Sequence, residues 1–330
     1  MPPLSEDELI ARFFAPLAGP AGLGLADDAA LLAVPTGHEL VLTADMLVAG
    51  VHFFADDPPA AIARKALRVN LSDLAAKGAT PTGFLLSLGL PQSWTQDWLA
   101  AFAAALGEDA KAYACPLLGG DTVRSPAGLT LSITALGSVP EGKMIRRTGV
   151  AEGDLLYVTG TIGDAALGLR LRREDEADQG WISRLDNAAR THLRNRYLLP
   201  QPRLGLAEAL RSSARAAMDI SDGLAGDLAK MLRLAGMTTD IALGDVPLSE
   251  AVQQALRQET ELAATILSGG DDYEVLCAVA PAKAAAFEAL AGQAGIAVTA
   301  LGRARRGSGL PVFRTGRGPI AFAAFSYQHF

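Results

Sequence analysis

The sequence has 330 residues, a formal net charge of −7 at pH 7 and a hydrophobic fraction of 50%. This length accommodates two domains, and the acidic balance argues against nonspecific binding to nucleic acid, which requires a basic face. With two cysteines, no export signal and no apolar run long enough for a membrane span, we expect a cytoplasmic protein without a disulfide framework, a zinc site or a membrane partner.

The first half of the sequence alternates between predicted helices and strands. Ser5 and Glu8 have the spacing of a capping box and precede a short amphipathic helix. Thr95 is a plausible cap for a second, longer helix. The predicted strands cover residues 29–34, 39–47, 83–90, 115–121 and 129–139, and the predicted long helices run from Pro58 to Gly78 and from Thr95 to Tyr113.

A domain boundary is expected near Gly149 to Gly153, where a glycine-containing turn follows a basic segment and precedes a new strand. We therefore predict domains at residues 1–148 and 149–330. Residues 174–195 are highly charged and predict a helical excursion on the surface. Because strands and helices are mixed in both halves, the fold class is α/β or α+β with two domains.

Several aspartates lie beside glycine or inside apolar runs, where a carboxylate is costly unless cations or several donors meet it. These residues are Asp28, Asp45, Asp73, Asp121, Asp219 and Asp222. Asp45 is the hardest to explain by structure alone, because strands disfavour aspartate. The others also fit ordinary turns and helix caps, so a structural role stays open for each of them.

Three further segments could contact a ligand. Gly119-Gly120-Asp121 is either a hairpin turn or a flexible backbone that lets a phosphate approach. His52 follows Gly50 and could line a small-molecule pocket, although a loop histidine is the commoner case. Arg147 is either a solvated charge or a phosphate contact.

Common signatures of other enzymes are missing from the sequence. Gly142-Lys143 is followed by Met144, which excludes a P-loop at that point, and no kinase catalytic loop, zinc-protease helix or nucleophile elbow occurs. Many aspartates, glycine turns and a few arginines remain. Oxygen ligands of this kind suit Mg²⁺, which binds a few carboxylates together with substrate phosphates, so the sequence points to nucleotide phosphoryl transfer.

Five segments together resemble the thiamine-monophosphate kinase family, which belongs with aminoimidazole ribonucleotide synthetase and selenophosphate synthetase. They occur in that family's order and extend over nearly the whole chain: Asp45-Met-Leu-Val-Ala-Gly-Val-His-Phe53, Asn70-Leu-Ser-Asp-Leu-Ala-Ala-Lys-Gly-Ala79, Leu118-Gly-Gly-Asp-Thr122, Asp219-Ile-Ser-Asp-Gly-Leu224 and Ser268-Gly-Gly-Asp-Asp-Tyr273. Each segment alone is modest evidence, but five in sequence are specific.

The resemblance implies transfer of the γ-phosphoryl group of ATP to thiamine monophosphate by a homodimer that uses several Mg²⁺ ions. It implies a dimer interface and ATP and Mg²⁺ sites in the N-terminal domain, and a C-terminal domain that completes the active site. Asp45, Asp121 and Arg147 match catalytic positions. By the same resemblance, the metal ligands are Asp28, Thr43, Asp45, Asp73, Asp121, Asp219 and Asp222, the nucleotide contacts are Gly120, Asp121, Arg147 and Ser221, and the thiamine contacts are His52, Asp271 and Tyr327.

Three positions depart from the family's pattern. Ala44 replaces a frequent hydroxyl residue, Asp271 replaces the usual glutamate, and Tyr327 replaces a common tryptophan. These changes bear on how the substrates are held more than on the reaction class. Two alternatives remain: a sister ATP-dependent synthetase with another acceptor, or a nucleotide-binding dimer without catalytic activity.

Overall fold

The computed structural model describes residues 5–327, and the chain divides into two compact units. Unit 1 comprises residues 5–74 and 79–143 of the described chain, and unit 2 comprises residues 75–78 and 144–327. No helix in the described range is long and apolar enough to cross a membrane.

Unit 1 contains a four-stranded sheet in the order β1-β4-β2-β3. The strands are β1 (His38–Val48), β2 (Thr80–Leu90), β3 (Leu117–Arg124) and β4 (Thr130–Pro140). β4 pairs antiparallel with β1 and β2, whereas β3 is parallel to β2. A parallel pair needs a crossover connection, and the helix between β2 and β3 supplies it.

Three helices accompany this sheet: α1 (Glu6–Leu9), α2 (Pro59–Ala76) and α3 (Gln96–Ala112). The predicted caps are confirmed, since Thr95 Oγ1 accepts the Trp98 N–H at 3.1 Å and the Ser5 N–H donates to Glu8 Oε2 at 2.8 Å. A buried ion pair ties α2 to α3, with Arg68 Nε 2.6 Å from Asp109 Oδ2.

Alternation along β1 separates a covered face of the sheet from an exposed one. Val41 and Leu47 are buried, whereas Leu42 and Met46 are exposed. α2 packs on the covered face, because the Oγ1 atom of Thr43 donates a hydrogen bond to the Asp73 carboxylate. The other face presents apolar side chains to solvent.

The strand predicted at residues 29–34 is wrong. The segment forms no strand, most of its residues are exposed, and it follows a turn that ends at Leu25. Of the two alternatives left open for Gly119-Gly120-Asp121, the hairpin turn is wrong, because these residues lie within β3, which continues to Arg124. An apolar run forms a strand only where a sheet edge can pair with it, and a glycine pair suits a strand where neighbouring backbones approach closely.

Unit 2 contains a second four-stranded sheet, in the order β10-β5-β9-β6, in which all neighbours are antiparallel. Its strands are β5 (Leu155–Thr159), β6 (Ala214–Asp219), β9 (Val275–Val279) and β10 (Val298–Arg303). Short strands form two smaller sheets: β7 (Met237–Thr238) with β11 (Arg305–Arg306), and β8 (Asp240–Ala242) with β12 (Val312–Thr315) and β13 (Gly318–Pro319).

Helices surround this sheet and bury three apolar clusters. They are α4 (Asp164–Arg173), α5 (Gln179–Ile182), α6 (Asn187–Leu198), α7 (Ala207–Ser213), α8 (Leu224–Arg233), α9 (Glu250–Gln258), α10 (Leu262–Ser268) and α11 (Ala284–Gln293). The charged segment 174–195 is largely helical, and Trp181 and Leu193 anchor it in one of these clusters.

Candidate active site

A cavity of about 750 Å³ opens in unit 1 on the exposed face of the sheet. Its acidic side chains come from two segments that are distant in the sequence. Asp27 and Asp28 follow a glycine-rich turn, Pro20–Leu25, and Gly119, Gly120 and Asp121 belong to β3. The structure therefore brings together two of the predicted metal ligands, Asp28 and Asp121, with the predicted nucleotide contact Gly120.

The glycine-rich turn is fixed against β3 by backbone contacts. The Gly19 N–H donates to Leu117 O at 3.0 Å, and a Cβ on Gly22 would lie 2.9 Å from Leu118 O. Leu23 and Leu25 adopt left-handed backbone conformations, with φ of 51° and 56°, which are uncommon for residues with a Cβ. This strained turn carries Asp27 and Asp28 to the cavity.

Gly120 is required by the sheet itself. A Cβ at this position would lie 1.8 Å from Leu86 O on the neighbouring strand, which no side chain can tolerate. Asp121 follows directly, pairs with Ser87 in the register and is exposed. The close approach of β2 and β3 thus places one carboxylate at the cavity wall.

Thr43, Asp45 and Asp73 lie at the covered face, where β1 meets α2. Thr43 Oγ1 donates to Asp73 Oδ2, and the Asp45 N–H donates to Asn70 Oδ1 at 3.1 Å. Ala44 lies between the two β1 residues, points the opposite way and is exposed. Asn70 is not among the predicted site residues, although its position one helical turn before Asp73 is a usable signal.

His52 lies in the tight turn after β1. Its Nδ1 atom is 3.0 Å from the Val48 nitrogen and accepts that N–H, and its carbonyl oxygen accepts from Lys65 Nζ at 3.0 Å. Gly50 has φ of 82°, which the turn requires. These contacts give the half-buried His52 a structural role in this turn.

In unit 2, two predicted segments interlock through their backbones. The Asp271 N–H donates to Ser221 O at 2.9 Å, and the Tyr273 N–H donates to Ile220 O at 2.9 Å. Gly270 faces Ser221 O, from which a Cβ would lie only 2.3 Å away. The predicted contacts Ser221 and Asp271 therefore lie on adjacent loops.

The same loops hold other predicted residues. Asp219 ends β6 and is buried, and Asp222 follows three residues later. The Tyr327 N–H donates to Asp222 O at 3.2 Å, which places the C-terminal aromatic residue beside these acids. Arg147 lies in the segment before β5 and is exposed; its neighbour Arg146 accepts the Ala217 N–H at 2.9 Å.

Lys230 on α8 balances the charge of Asp222. Its Nζ atom lies 2.5 Å from Asp222 Oδ2 and 3.0 Å from Asp227 Oδ1. Burial raises the pKa of Asp227, and Lys230 opposes that change. Burial lowers the pKa of Lys230, but its hydrogen bonds to Asp222 and Asp227 outweigh this, so the net pKa is raised. Lys230 is not among the predicted site residues, although its spacing of three residues from Asp227 on a helix indicates a pair.

The donor chemistry of unit 1 fits a hard divalent cation. Carboxylate oxygens from Asp28 and Asp121 line the cavity, and a carboxylate and a hydroxyl meet at Asp73 and Thr43. Within residues 5–327, no group of three acidic, histidine or cysteine side chains is arranged to hold a metal ion. Mg²⁺ is typically bound by one or two carboxylates, and substrate phosphates complete its coordination.

Comparison with known proteins matches both halves of the chain. Residues 26–139 match the family model of the AIR synthase related protein N-terminal domain, and residues 151–313 match that of the C-terminal domain. The chain is 42% identical over 320 residues to a thiamine-monophosphate kinase of Caulobacter vibrioides, covering 96% of this chain and 88% of the relative. It is 38% identical over 329 residues to the thiamine-monophosphate kinase of Escherichia coli K12, with 98% of each covered.

Solved structures agree with these relatives. A thiamine-monophosphate kinase from Stenotrophomonas maltophilia K279a superposes with a TM-score of 0.79 at 37% identity, over 90% of this chain and 91% of that one. The structure of AaThiL complexed with AMPPCP and TMP superposes with a TM-score of 0.75 at 27% identity, over 99% and 97% of the two chains. The predicted two-domain α/β fold is confirmed.

Proposed function

The chain belongs to the thiamine-monophosphate kinases, within the AIR synthase related family, and from this premise we propose that it phosphorylates thiamine monophosphate with ATP. The products are thiamine diphosphate and ADP. The observation that carries the proposal is similarity over almost the full length to enzymes of this name, together with a structural neighbour that holds AMPPCP, an ATP analogue, and TMP.

We assign the predicted residues to three tasks. In unit 1, Mg²⁺ is held by Asp28, by Asp121 and by the group Thr43, Asp45 and Asp73. In unit 2, further oxygen ligands come from Asp219 and Asp222. Gly120, Asp121, Arg147 and Ser221 contact the nucleotide phosphates. His52, Asp271 and Tyr327 contact the thiamine moiety. The support for each is its motif position and, for Asp28, Gly120 and Asp121, their shared cavity.

The protein contributes little covalent chemistry to this reaction. An ionised phosphate oxygen of thiamine monophosphate attacks the γ-phosphorus of ATP, and the bond from that phosphorus to the bridging oxygen of ADP breaks. Because the acceptor is already ionised, no general base is needed. When bound, Mg²⁺ neutralises charge on the phosphate oxygens. The task of the chain is to position two polyanions in line, and Arg147 adds positive charge for this.

A homodimer is part of this proposal, with the exposed face of the unit 1 sheet as its interface. Leu40, Leu42, Met46 and Leu85 are large apolar side chains that this face presents to solvent. Several large apolar side chains exposed on one sheet face are typical of an association site. We also assign residues 1–148 to ATP and Mg²⁺ binding and dimerisation, residues 149–330 to completion of the site, and the enzyme to the cytoplasm, where ATP is available.

The test is product analysis with γ-labelled ATP, Mg²⁺ and thiamine monophosphate. We expect labelled thiamine diphosphate in a one-to-one ratio with ADP and no labelled protein. ADP formed without thiamine diphosphate would indicate another acceptor and a sister synthetase. ATP binding without ADP formation would indicate a catalytically silent nucleotide-binding dimer, and a labelled histidine would contradict direct transfer.

A further inference from the structure

The loop that carries Asp271 is held in a strained conformation. Asp271 has φ of 73° and Tyr273 has φ of 50°, so two residues with side chains adopt left-handed backbone conformations within three positions. For a bulky aromatic residue this is a clear outlier. Such a conformation persists only when the surrounding structure over-determines it, and strain of this kind clusters at functional sites.

Asp272, between these two residues, is completely buried and binds the start of α4. Its Oδ2 atom accepts the Gly163 N–H at 2.8 Å, and its Oδ1 atom accepts the Ala165 N–H at 3.3 Å. Burial raises its pKa, and these backbone hydrogen bonds oppose that change. The net pKa is raised, and the carboxyl oxygens accept from N–H groups that a helix start leaves without partners.

Glu274 fixes the other side of the loop and is also completely buried. Its carboxylate accepts from Arg203 Nε at 2.6 Å, from Arg196 Nη2 at 2.7 Å and from Thr159 Oγ1 at 2.6 Å. Arg196 Nη2 also donates to the Asp272 carbonyl oxygen at 3.2 Å. Two arginines and a hydroxyl group therefore form hydrogen bonds with the buried Glu274 side chain. One of the arginines, Arg196, also donates directly to the loop backbone.

These contacts fix alternate residues of the loop in two different ways. Asp272 and Glu274 point into unit 2 and carry the fixing contacts, whereas the backbones of Asp271 and Tyr273 pair with the 220–221 segment. Burying two acids is energetically costly, and a plain connection between α10 and β9 does not require it. The arrangement therefore fixes the backbone geometry at Asp271.

We propose that Asp272 is a positioning residue for substrate recognition, which orients Asp271 toward the thiamine moiety by holding the loop against the start of α4. This inference rests on the proposed function, because it uses the assignment of Asp271 to the substrate. Arg196 assists by holding the loop carbonyl and Glu274 together. Asp272 itself does not touch the substrate, so its effect is on Asp271 and hence on binding of thiamine monophosphate.

The experiment compares Asp272→Asn with the wild type in two assays. Asparagine replaces one acceptor oxygen by an NH₂ group, so one of the two helix N–H groups loses its acceptor. We expect the KM for thiamine monophosphate to rise about tenfold and the KM for ATP to stay within about twofold of the wild-type value. Hydrogen–deuterium exchange of peptides covering 268–274 should become faster.

Asp154→Asn is the matched control. Asp154 is also a buried acid that accepts a backbone N–H, from Ala151 at 2.8 Å. It lies just before the first residue of β5, whereas Thr159, which contacts Glu274, is the last residue of that strand. This variant should leave both KM values and the exchange of residues 268–274 unchanged. If Asp272→Asn does not fold, Arg196→Lys provides the second test, since it weakens the contact to the Asp272 carbonyl and should raise the same KM several-fold.

Two results overturn the inference: a folded Asp272→Asn variant with a wild-type KM for thiamine monophosphate, or wild-type exchange in residues 268–274. If the wild-type protein makes no thiamine diphosphate, the proposed function fails. The exchange measurement then decides separately whether Asp272 holds the loop, with faster exchange supporting that role and unchanged exchange overturning it.

Discussion

Gly120 and Asp121 are adjacent residues with different physical reasons for their identity. Gly120 is set by the sheet, because the backbone of Leu86 occupies the space of a Cβ. Asp121 is exposed at the cavity, and the pairing of β2 with β3 does not require a carboxylate at this position. Strand geometry therefore accounts for the glycine, and the proposed Mg²⁺ site would account for the acid.

Gly120→Ala should destabilise unit 1. The added Cβ would lie 1.8 Å from Leu86 O, so β2 and β3 must separate, and we expect a loss of about 2–4 kcal/mol in the free energy of unfolding. Denaturant unfolding measures this loss. Gly180→Ala is the control, because Gly180 has no heavy atom within 4 Å of its Cβ position, and it should be neutral. Equal stability of the two variants would contradict the close contact.

At the scale of elements, α4 and α6 meet through a partly buried acid–histidine pair. His192 Nε2 lies 3.0 Å from Asp164 Oδ1, and Ser249 Oγ donates to the same oxygen at 2.5 Å. The hydrogen bond to Asp164 raises the pKa of His192, while burial opposes the change. Burial raises the pKa of Asp164, but hydrogen bonds from His192, Ser249 and Thr161 outweigh it, and the net pKa is lowered.

These shifts give the pair a defined pH dependence. Because the folded-state pKa of His192 is raised, its stabilising contribution is complete below the ordinary histidine pKa of about 6.5 and is lost as the pH rises through the raised value. The contribution of Asp164 runs the other way: its pKa is lowered, so it is present at neutral pH and is lost only as the pH falls through the folded-state value.

His192→Asn should therefore cost more stability at pH 6 than at pH 9. Because the imidazole is partly exposed, we expect a difference of no more than about 1 kcal/mol in the free energy of unfolding. Urea unfolding at the two pH values measures it. His38→Asn, at an exposed position on β1, serves as the control and should show a smaller difference. A larger cost of His192→Asn at pH 9 would reverse the assigned sign.

The sequence predicted elements well where a local signal was sufficient. The Thr95 cap, the helix that begins at Pro59 and the strand that contains Asp45 all follow from spacing within one turn or one strand. It failed at residues 29–34, since apolar character does not reveal whether a sheet edge is free to pair. It left a hairpin turn open at Gly119-Gly120, because the demand on Gly120 comes from Leu86, a residue distant in sequence.

The candidate site was predictable to the same degree. Motif positions identified Asp28, Asp121, Ser221 and Asp271, which the structure groups within their own units. The partners Asn70 and Lys230 were not found, although each has helical spacing to a neighbouring acid. Arg196 was not found because hydrogen bonds between elements leave no spacing signal in a single sequence. Asp222 illustrates this limit: its motif indicates a ligand, but only the structure shows that Lys230 neutralises it.

At the scale of the whole molecule, the exposed face of the unit 1 sheet determines the expected assembly. Leu42→Lys places a charge in the proposed interface, so we expect a wild-type dimer and a monomeric variant in sedimentation or light scattering. Leu310→Lys is a matched control, since Leu42 and Leu310 are both 61% exposed and Leu310 lies in unit 2. A monomeric wild type, or a Leu42→Lys variant that remains dimeric, would contradict this interface.

The central claim is that acidic side chains of this chain hold Mg²⁺ and ATP for transfer to thiamine monophosphate. The most direct measurement is turnover of Asp121→Asn, with thermal unfolding measured in parallel and Asp97→Asn, an exposed acid at the start of α3, as control. We predict that Asp121→Asn lowers kcat by about 10²- to 10³-fold without changing Tm, while the control retains full activity. Wild-type turnover by Asp121→Asn would contradict the account.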